Sequence, residues 1–223
     1  MSVRLFVSAG EASGDRHAAA LVHALRRRIP DLEIRGLGGP ALEAEGATLL
    51  ARIDELSALG FSEVIRRLPF FAGLLHRVSR EISEWKPHLV LPVDYPGFNL
   101  RMAGRARARG VRVLYYIAPQ VWAWRAERRP GIARAVDHLL VVFPFEEALF
   151  REAGIATTFV GHPLLDAAPG PGARRCVVIS ACPWKRAFWR FFPGAGPRRW
   201  RRSFPPWWRG RSAPRREPEP GWW

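Results

Sequence analysis

The stretch LVLPVDYPGFNL, residues 89–100, decides the predicted fold of this chain. Residues 89–93 form a short apolar run between a proline and a Pro/Gly turn, which is typical of a strand buried on both faces of a parallel sheet. The run ends on Asp94, and ligands of open α/β sheets bind at the carboxyl ends of strands. Asp94, followed by the side-chain amide of Asn99, is therefore a candidate general base. The alternative is that Asp94 only caps the turn or the helix that follows.

Short apolar strands alternate with helical segments on both sides of this stretch. Helices are predicted after the first strand, up to the stop at Pro30, and at residues 41–45, 100–109 and 147–153. The alternation predicts an α/β fold, a Rossmann-like parallel sheet with helices on both faces and right-handed crossovers. The other strands are predicted at residues 4–8, 32–35, 111–117, 137–143 and 157–160.

The charge of the chain is unevenly distributed. Of 223 residues, 48% are hydrophobic and 25% are charged, which is typical of a globular protein, and the net charge is +15. The residues after Asp166 contain thirteen Lys and Arg against two acids, together with both cysteines and seven of the ten tryptophans. Two cysteines do not make a disulfide framework, and the rest of the chain has none, which suits a reducing compartment. No segment approaches the roughly 18–20 apolar residues of a membrane span, and no apolar signal-peptide region follows Met1, so we expect a cytosolic first domain.

A glycine-punctuated loop, AGEASGD at residues 9–15, follows the first predicted strand. Neither this loop nor GLGGP at residues 36–40 matches a dinucleotide or P-loop motif. The two carboxylates of the first loop would repel phosphate, so no nucleotide site is predicted there. The loop either only permits a tight turn or forms the lip of a sugar-binding site. The candidate sugar contacts in it are Gly10, Glu11, Ser13, Gly14 and Asp15.

Aromatic residues follow the strand at 111–117. A proline and two tryptophans at a strand end form an aromatic wall, a common lining of sugar or acyl sites. His162 follows the last predicted strand, and a single histidine after a glycine is usually structural or a hinge contact. No second histidine lies at metal-ligand spacing, so the sequence predicts no metal site. The residues of the aromatic wall and its adjoining cation are Trp122, Trp124 and Arg125.

Bulky apolar residues alternate with cations between residues 61 and 80, and Pro69 is expected to divide this pattern into two short pieces. Such a segment is either an interfacial helix on an anionic bilayer or an ordinary amphipathic helix packed on the sheet. The apolar residues are Val64, Ile65, Leu68, Phe70, Phe71, Leu74 and Leu75.

Six motifs occur in a fixed order along residues 3–166. They are AGEASGD (9–15), GLGGP (36–40), DYPGFNL (94–100), PQVWAWR (119–125), PFE (144–146) and VGHPL (160–164). Together they resemble lipid-A-disaccharide synthase. The resemblance implies the N-terminal half of a GT-B glycosyltransferase that uses no metal or cofactor and is peripheral on the cytoplasmic face of the inner membrane. It also implies a reaction, the transfer of 2,3-diacylglucosamine from UDP-2,3-diacylglucosamine to 2,3-diacylglucosamine 1-phosphate.

The resemblance assigns roles to individual residues. It implies that Asp94 is the general base that takes the proton of the acceptor 6-hydroxyl. Gly97 stands where some members have a second acid, which is then not required. The segment at 61–80 matches the membrane-contact region of the family. The implied substrate contacts are Gly10, Glu11, Ser13, Gly14, Asp15, Asn99, Trp122, Trp124, Arg125 and His162.

The resemblance divides the chain into an acceptor-side domain, residues 1–166, and a basic Arg/Pro/Trp-rich tail, residues 167–223. The tail is expected to be disordered, either as a basic arm or as an out-of-frame translation. Shifting the reading frame permits LALLPGSR between Phe188 and Gly196, which resembles the segment that opens the family's donor domain. A frame slip between about Gly170 and Cys182 would leave this chain without a donor domain and inactive.

Two other functions remain open at this point. The N-terminal domain could act as a stand-alone module that binds acylated sugars or lipids. The basic tail could bind nucleic acid through its charge, although no specific nucleic-acid partner is expected from the family resemblance.

Overall fold

Residues 2–56, 68–120 and 129–164 are described by a computed structural model. They form a parallel sheet of seven strands in the order β3-β2-β1-β4-β5-β6-β7. The α/β fold predicted from the sequence is confirmed. The strands are β1 (Val3–Ala9), β2 (Leu32–Gly38), β3 (Thr48–Arg52), β4 (Leu89–Val93), β5 (Arg112–Tyr116), β6 (His138–Val141) and β7 (Thr157–Phe159).

Helices cover both faces of the sheet. They are α1 (Ala12–Arg26), α2 (Pro40–Ala44), α3 (Ile53–Leu56), α4 (Leu68–Trp85), α5 (Pro96–Arg107), α6 (Arg129–Ala135) and α7 (Pro144–Glu152). Side chains alternate along each strand, so Leu5 and Val7 pack with α1 and α2, while Phe6 packs with α4 and α5. Two apolar cores result, one on each side of the sheet. No helix of the described residues is long and apolar enough to cross a membrane.

Strands β2 and β3 depart most from the sequence-based expectation, and β6 (His138–Val141) is shorter than the predicted 137–143. Strand β2 continues to Gly38, three residues beyond its predicted end at Arg35. It contains Gly36 because β1 lies very close there, and a Cβ at this position would come within 1.7 Å of the Val7 carbonyl oxygen. Strand β3 was not predicted; it lies at the sheet edge, where half-exposed residues weaken the apolar pattern.

Helix α4 corrects the expectation of two short pieces. Pro69 lies in the first turn of the helix, where its missing N–H costs no intrahelical hydrogen bond. The helix therefore continues unbroken for 18 residues. Helix α5 likewise begins at Pro96 and not at Leu100, because that proline also occupies a first-turn position.

Two of the predicted membrane contacts on α4 are wrong. Leu74 and Leu75 are 2% and 7% exposed and belong to the core between α4 and the sheet. Phe70 and Phe71 are partly buried against the same core, whereas Leu68 is 56% exposed. Most of the apolar stripe is therefore a packed amphipathic face, and only the beginning of α4 offers apolar surface. Val64 and Ile65 lie outside the described residues.

Candidate functional site

The sheet reverses its winding direction between β1 and β4. Strands β2 and β3 extend from one side of β1, and β4 to β7 extend from the other. Loops that leave two neighbouring strands in opposite directions open a crevice at the carboxyl ends of those strands. Ala9 pairs with Val93 at the ends of β1 and β4, so Gly10 and Asp94 leave the sheet at the same level. The crevice between these two loops is the candidate site.

Asp94 occupies an unusual backbone conformation at this crevice. Asp94 and Tyr95 have φ angles of 46° and 51°, in the left-handed region that L-residues rarely adopt. The turn is held by hydrogen bonds. The Tyr115 hydroxyl and the Asn99 side-chain amide each donate to the Asp94 carbonyl oxygen at 2.7 Å, and the Asp94 N–H donates to the Tyr116 carbonyl at 3.0 Å.

The carboxyl group of Asp94 is half-buried. Burial raises its pKa above the ordinary value of 3.8, and a hydrogen bond from the Tyr95 N–H and the charge of His17 oppose that rise. A carboxylate with a raised pKa is a stronger base than a solvated aspartate. Position and electrostatics therefore suit proton removal from a bound hydroxyl.

His17 is a member of the site that was missed from the sequence. It lies half-buried on α1, and burial lowers its pKa, as do the charges of Arg16 and His162, while the Asp94 carboxylate raises it. These mutual effects indicate that His17, Asp94 and His162 lie near one another at the crevice. A signal was present, because His17 follows Ser13 by four residues, one helical turn on the same face of α1.

Asn99 does not have a free group for a substrate, which corrects its prediction as a substrate contact. It is 0% exposed. Its Nδ2 lies 3.1 Å from the Ser8 carbonyl, 3.3 Å from that of Val93 and 2.7 Å from that of Asp94, and its Oδ1 accepts a 2.6 Å bond from the Ser8 hydroxyl. Asn99 thus ties α5 to β1 and to the Asp94 turn.

Asp15 is also structural, and its prediction as a substrate contact is wrong. Its side chain is 2% exposed and accepts hydrogen bonds from the N–H groups of Gly39, Ala41 and Leu42 at 2.8, 3.0 and 3.2 Å. The carboxylate satisfies amides at the beginning of α2 that have no partner within the helix. It therefore joins α1 to the β2–α2 connection.

The two glycines of the first loop are buried and have a packing role, and their contact with a substrate stays a prediction. A Cβ on Gly10 would lie 2.3 Å from the Tyr95 ring. A glycine is required there because the two loops of the crevice pack directly on each other. Gly14 lies within α1, and a Cβ added there would lie 3.5 Å from the Val93 carbonyl oxygen, an ordinary van der Waals contact. The exposed Glu11 and the half-buried Ser13 are the loop side chains whose substrate contact stays a prediction.

His162 is half-buried beside an aromatic pair. Its ring centroid lies 5.4 Å from that of Phe143, which stacks on Phe145 at 5.7 Å, and its Nδ1 accepts a bond from the Leu164 N–H at 3.3 Å. Contact of His162 with a substrate stays a prediction. Trp122, Trp124 and Arg125 lie outside the described residues. Within the described ranges, no group of three or more His, Cys, Asp or Glu side chains could hold a metal ion.

A surface cavity of about 660 Å³ lies at the amino ends of β4 and β5, at the other end of the strands from Asp94. Its lining includes Lys86, which directly follows α4, and Arg109, which lies two residues after the end of α5. Cations are favourable at helix C-termini because of the helix dipole. The charges of this cavity therefore have a structural explanation, and the site remains the crevice beside Asp94.

Solved structures of known proteins share this fold. The UDP-GlcNAc 2-epimerase from Methanocaldococcus jannaschii, in complex with UDP-GlcNAc and UDP, matches 85% of this chain and 53% of its own, with a TM-score of 0.55 and 14% identity. The Neisseria meningitidis enzyme bound to UDP-GlcNAc matches 75% of this chain and 47% of its own, with a TM-score of 0.53 and 10% identity. The sheet order and the crevice at its reversal define one Rossmann-like half of a GT-B fold.

Sequence comparisons give the family. The sequence model of the lipid-A-disaccharide synthetase family matches residues 5–176 of this chain. Lipid-A-disaccharide synthase from Myxococcus xanthus is 46% identical over 168 residues, 75% of this chain and 44% of that protein. The protein of the same name from Anaeromyxobacter sp. strain K is 38% identical over 203 residues, 91% of this chain and 53% of that protein. The chain belongs to the lipid-A-disaccharide synthetase family, and it spans about half the length of these relatives.

Proposed function

We propose that this chain provides the acceptor side and the general base of lipid-A-disaccharide synthesis. The observation that carries the proposal is the half-buried carboxyl group of Asp94, with a raised pKa, at the crevice between β1 and β4. Membership of the family supports it and does not favour a nucleic-acid-binding or purely structural function.

In the proposed reaction, Asp94 accepts the proton of the 6-hydroxyl of 2,3-diacylglucosamine 1-phosphate. The oxygen forms a bond to the anomeric carbon of UDP-2,3-diacylglucosamine, and the bond from that carbon to the diphosphate oxygen breaks. UDP leaves with the electron pair, and the proton remains on Asp94 until solvent removes it. General base catalysis of this kind contributes about 10²–10⁴-fold to a rate.

The donor side requires groups that hold a diphosphate. Neither glycine-rich loop has a phosphate-binding pattern. The carboxylate of Asp15, in the first loop, accepts hydrogen bonds from main-chain N–H groups at the beginning of α2. We assign donor binding to the part of the relatives that this chain does not match. The whole reaction then requires this half and a donor half together.

The test uses this chain extended with the part of the Myxococcus xanthus relative that it does not match. We expect the extended chain to release UDP from the two acylated glucosamine substrates. Asp94→Asn keeps the shape of the side chain but cannot take the proton, so UDP release should fall about 10²–10⁴-fold. Asp31→Asn changes an exposed carboxylate that precedes the amino end of β2, away from the crevice; it is the matched control and should retain activity. Turnover by Asp94→Asn close to that of the control would exclude the base role.

Membrane contact is proposed for the beginning of α4. Leu68 is 56% exposed, and Phe70 and Phe71 are only partly buried beside it. Arg77 and Arg80 are exposed further along the helix. Exposed apolar side chains on a helix that also carries exposed cations favour the surface of an anionic bilayer, where the acylated substrates would reside. This would make the protein peripheral on the cytoplasmic face of the inner membrane.

The division at residue 166 and the out-of-frame origin of the tail stay predictions. The family model ends at residue 176, within the expected window of 170 to 182, whereas the Anaeromyxobacter alignment covers 203 residues and so extends into the tail. The tail is either a genuine basic arm or an out-of-frame translation. Translating the gene in the shifted frame from the codons for residues 170–182 onward distinguishes these two origins. A match of that translation to the relatives' remaining length is expected, and its absence would exclude a frame slip.

A further inference from the structure

The turn that carries Asp94 is stabilised by a residue that touches no substrate. Two consecutive non-glycine residues with positive φ, Asp94 and Tyr95, cost conformational free energy. Such a backbone persists only where the surrounding structure over-determines it.

Tyr115 lies beneath the turn, on β5. Its side chain is 0% exposed, and its hydroxyl donates to the Asp94 carbonyl oxygen at 2.7 Å. Strands of a parallel sheet are buried on both faces and are normally apolar, and a buried hydroxyl is unfavourable unless it forms a hydrogen bond. The phenyl ring alone would fill the core, so the hydroxyl is explained by its bond to the turn and not by packing.

The bond acts together with the Asn99 amide. Both groups donate to the same carbonyl oxygen at 2.7 Å, and Asn99 is tied to Ser8 on β1. The Asp94 carbonyl is thereby held from β5, from α5 and, through Asn99, from β1. With its carbonyl fixed and its N–H bonded to the Tyr116 carbonyl at 3.0 Å, the backbone of Asp94 is held in place, and this sets the direction of its Cα–Cβ bond.

We propose that Tyr115 is a positioning residue, whose hydroxyl fixes the left-handed turn so that the Asp94 carboxyl group faces the crevice beside His17. The catalytic consequence rests on the proposed function, since it requires that Asp94 be the base. The positioning itself does not depend on the reaction. Tyr115 acts through Asp94 and does not contact the reacting atoms.

The test uses the 223-residue chain and the variant Tyr115→Phe, which keeps the ring and removes the hydroxyl. Ser79→Ala is the matched control, because the buried Ser79 hydroxyl also donates to a main-chain carbonyl, that of Leu75 at 2.6 Å on α4. Amide hydrogen exchange is measured at Asp94, and the ¹³C shift of its carboxyl group is followed against pH. Asp94→Asn assigns the carboxyl signal.

Loss of one hydrogen bond should make exchange at the Asp94 amide about tenfold faster in Tyr115→Phe. The titration midpoint of the Asp94 carboxyl group should also move toward that of an ordinary aspartate, since a loosened turn exposes it to water. Ser79→Ala should alter neither signal.

Native exchange and an unchanged titration in Tyr115→Phe would overturn the proposal. Faster exchange spread evenly over β1, β4 and β5, as expected from a general loss of stability, would overturn it as well. Neither signal requires sugar binding or transfer. Failure of the positioning role is therefore distinguishable from failure of the proposed function, which is decided by UDP release from the extended Asp94→Asn chain.

Discussion

Asp94 combines a strained backbone with a carboxyl group that is poorly solvated, and the poor solvation makes the stability of the fold depend on pH. The folded protein binds a proton at Asp94 more tightly than the unfolded chain does, because burial raises the pKa of the carboxyl group above 3.8. The free energy of unfolding therefore falls as pH rises from the ordinary pKa through the raised one. Stability is given up at neutral pH to keep a basic carboxylate in the crevice.

The variant Asp94→Asn should be more stable than the native protein at pH 7, since it removes the partly buried charge and keeps an oxygen for the Tyr95 N–H. The gain should shrink as pH is lowered toward 3.8, where the native carboxyl group becomes neutral. Urea unfolding of both chains at several pH values measures this difference. A variant that is less stable than the native chain at pH 7 and equal to it at low pH would show that the carboxylate is stabilised in the fold.

His17 reports on the same carboxylate. Because the Asp94 charge raises the pKa of His17 against the larger effect of burial, Asp94→Asn should lower the pKa of His17 further below 6.5. Titration of the ring by ¹H–¹⁵N NMR measures the shift, and Asp31→Asn should leave it unchanged. An unaltered His17 titration in Asp94→Asn would mean that the two residues do not share the crevice.

At the level of the secondary-structure elements, Asp15 joins three of them. It lies on α1 and satisfies N–H groups at the junction of β2 and α2. We expect Asp15→Ala to lower the free energy of unfolding by roughly 3 kcal/mol, because buried N–H groups lose their partner. Glu33→Ala, at an exposed position of β2, should change it by less than about 0.5 kcal/mol. Equal effects in urea unfolding would contradict the assignment of Asp15.

Membrane binding by helix α4 can be tested at Leu68, because Leu74 and Leu75 on the same helix are buried in the core. Leu68→Ser removes an apolar side chain that is 56% exposed, whereas Leu164→Ser removes one that is 61% exposed elsewhere. Full burial of a leucine contributes about 1.5–3 kcal/mol, and about half of that remains to be gained by Leu68, so Leu68→Ser should weaken binding to anionic vesicles by roughly four- to fifteenfold. Sedimentation with vesicles measures this, and the Leu164→Ser chain should bind as the native chain does. The same loss in both variants would remove α4 as the specific contact.

At the level of the whole molecule, the proposed assignment of donor binding to the part that this chain does not match predicts that half of a GT-B protein should not suffice. Transfer requires the anomeric carbon of the donor to be held against the acceptor hydroxyl, and such positioning contributes roughly 7–11 kcal/mol. Asp94 can remove a proton but cannot supply that proximity. We expect UDP release by the 223-residue chain to remain at background, while the chain extended from the Myxococcus xanthus relative turns over. Turnover by the 223-residue chain near that of the extended chain would overturn the two-half argument.

The local pattern of the sequence determined most of the architecture. Apolar runs bounded by Pro and Gly determined strands β1, β4 and β5, and their alternation with helices predicted a parallel sheet. It also placed Asp94 at a strand end, which is where ligands of such sheets bind. The family resemblance that the six motifs carried is confirmed by the match over residues 5–176.

Only the tertiary structure decided which polar groups of the motifs remain available. Asn99 bonds Ser8, 91 residues away; Asp15 bonds amides 24 to 27 residues away; Tyr115 bonds the Asp94 carbonyl across 21 residues. Leu74 and Leu75 likewise became core residues when α4 packed on the sheet. Periodicity and turn chemistry act between near neighbours in the chain, whereas burial and hydrogen bonding in the crevice depend on strands that meet only in the folded sheet.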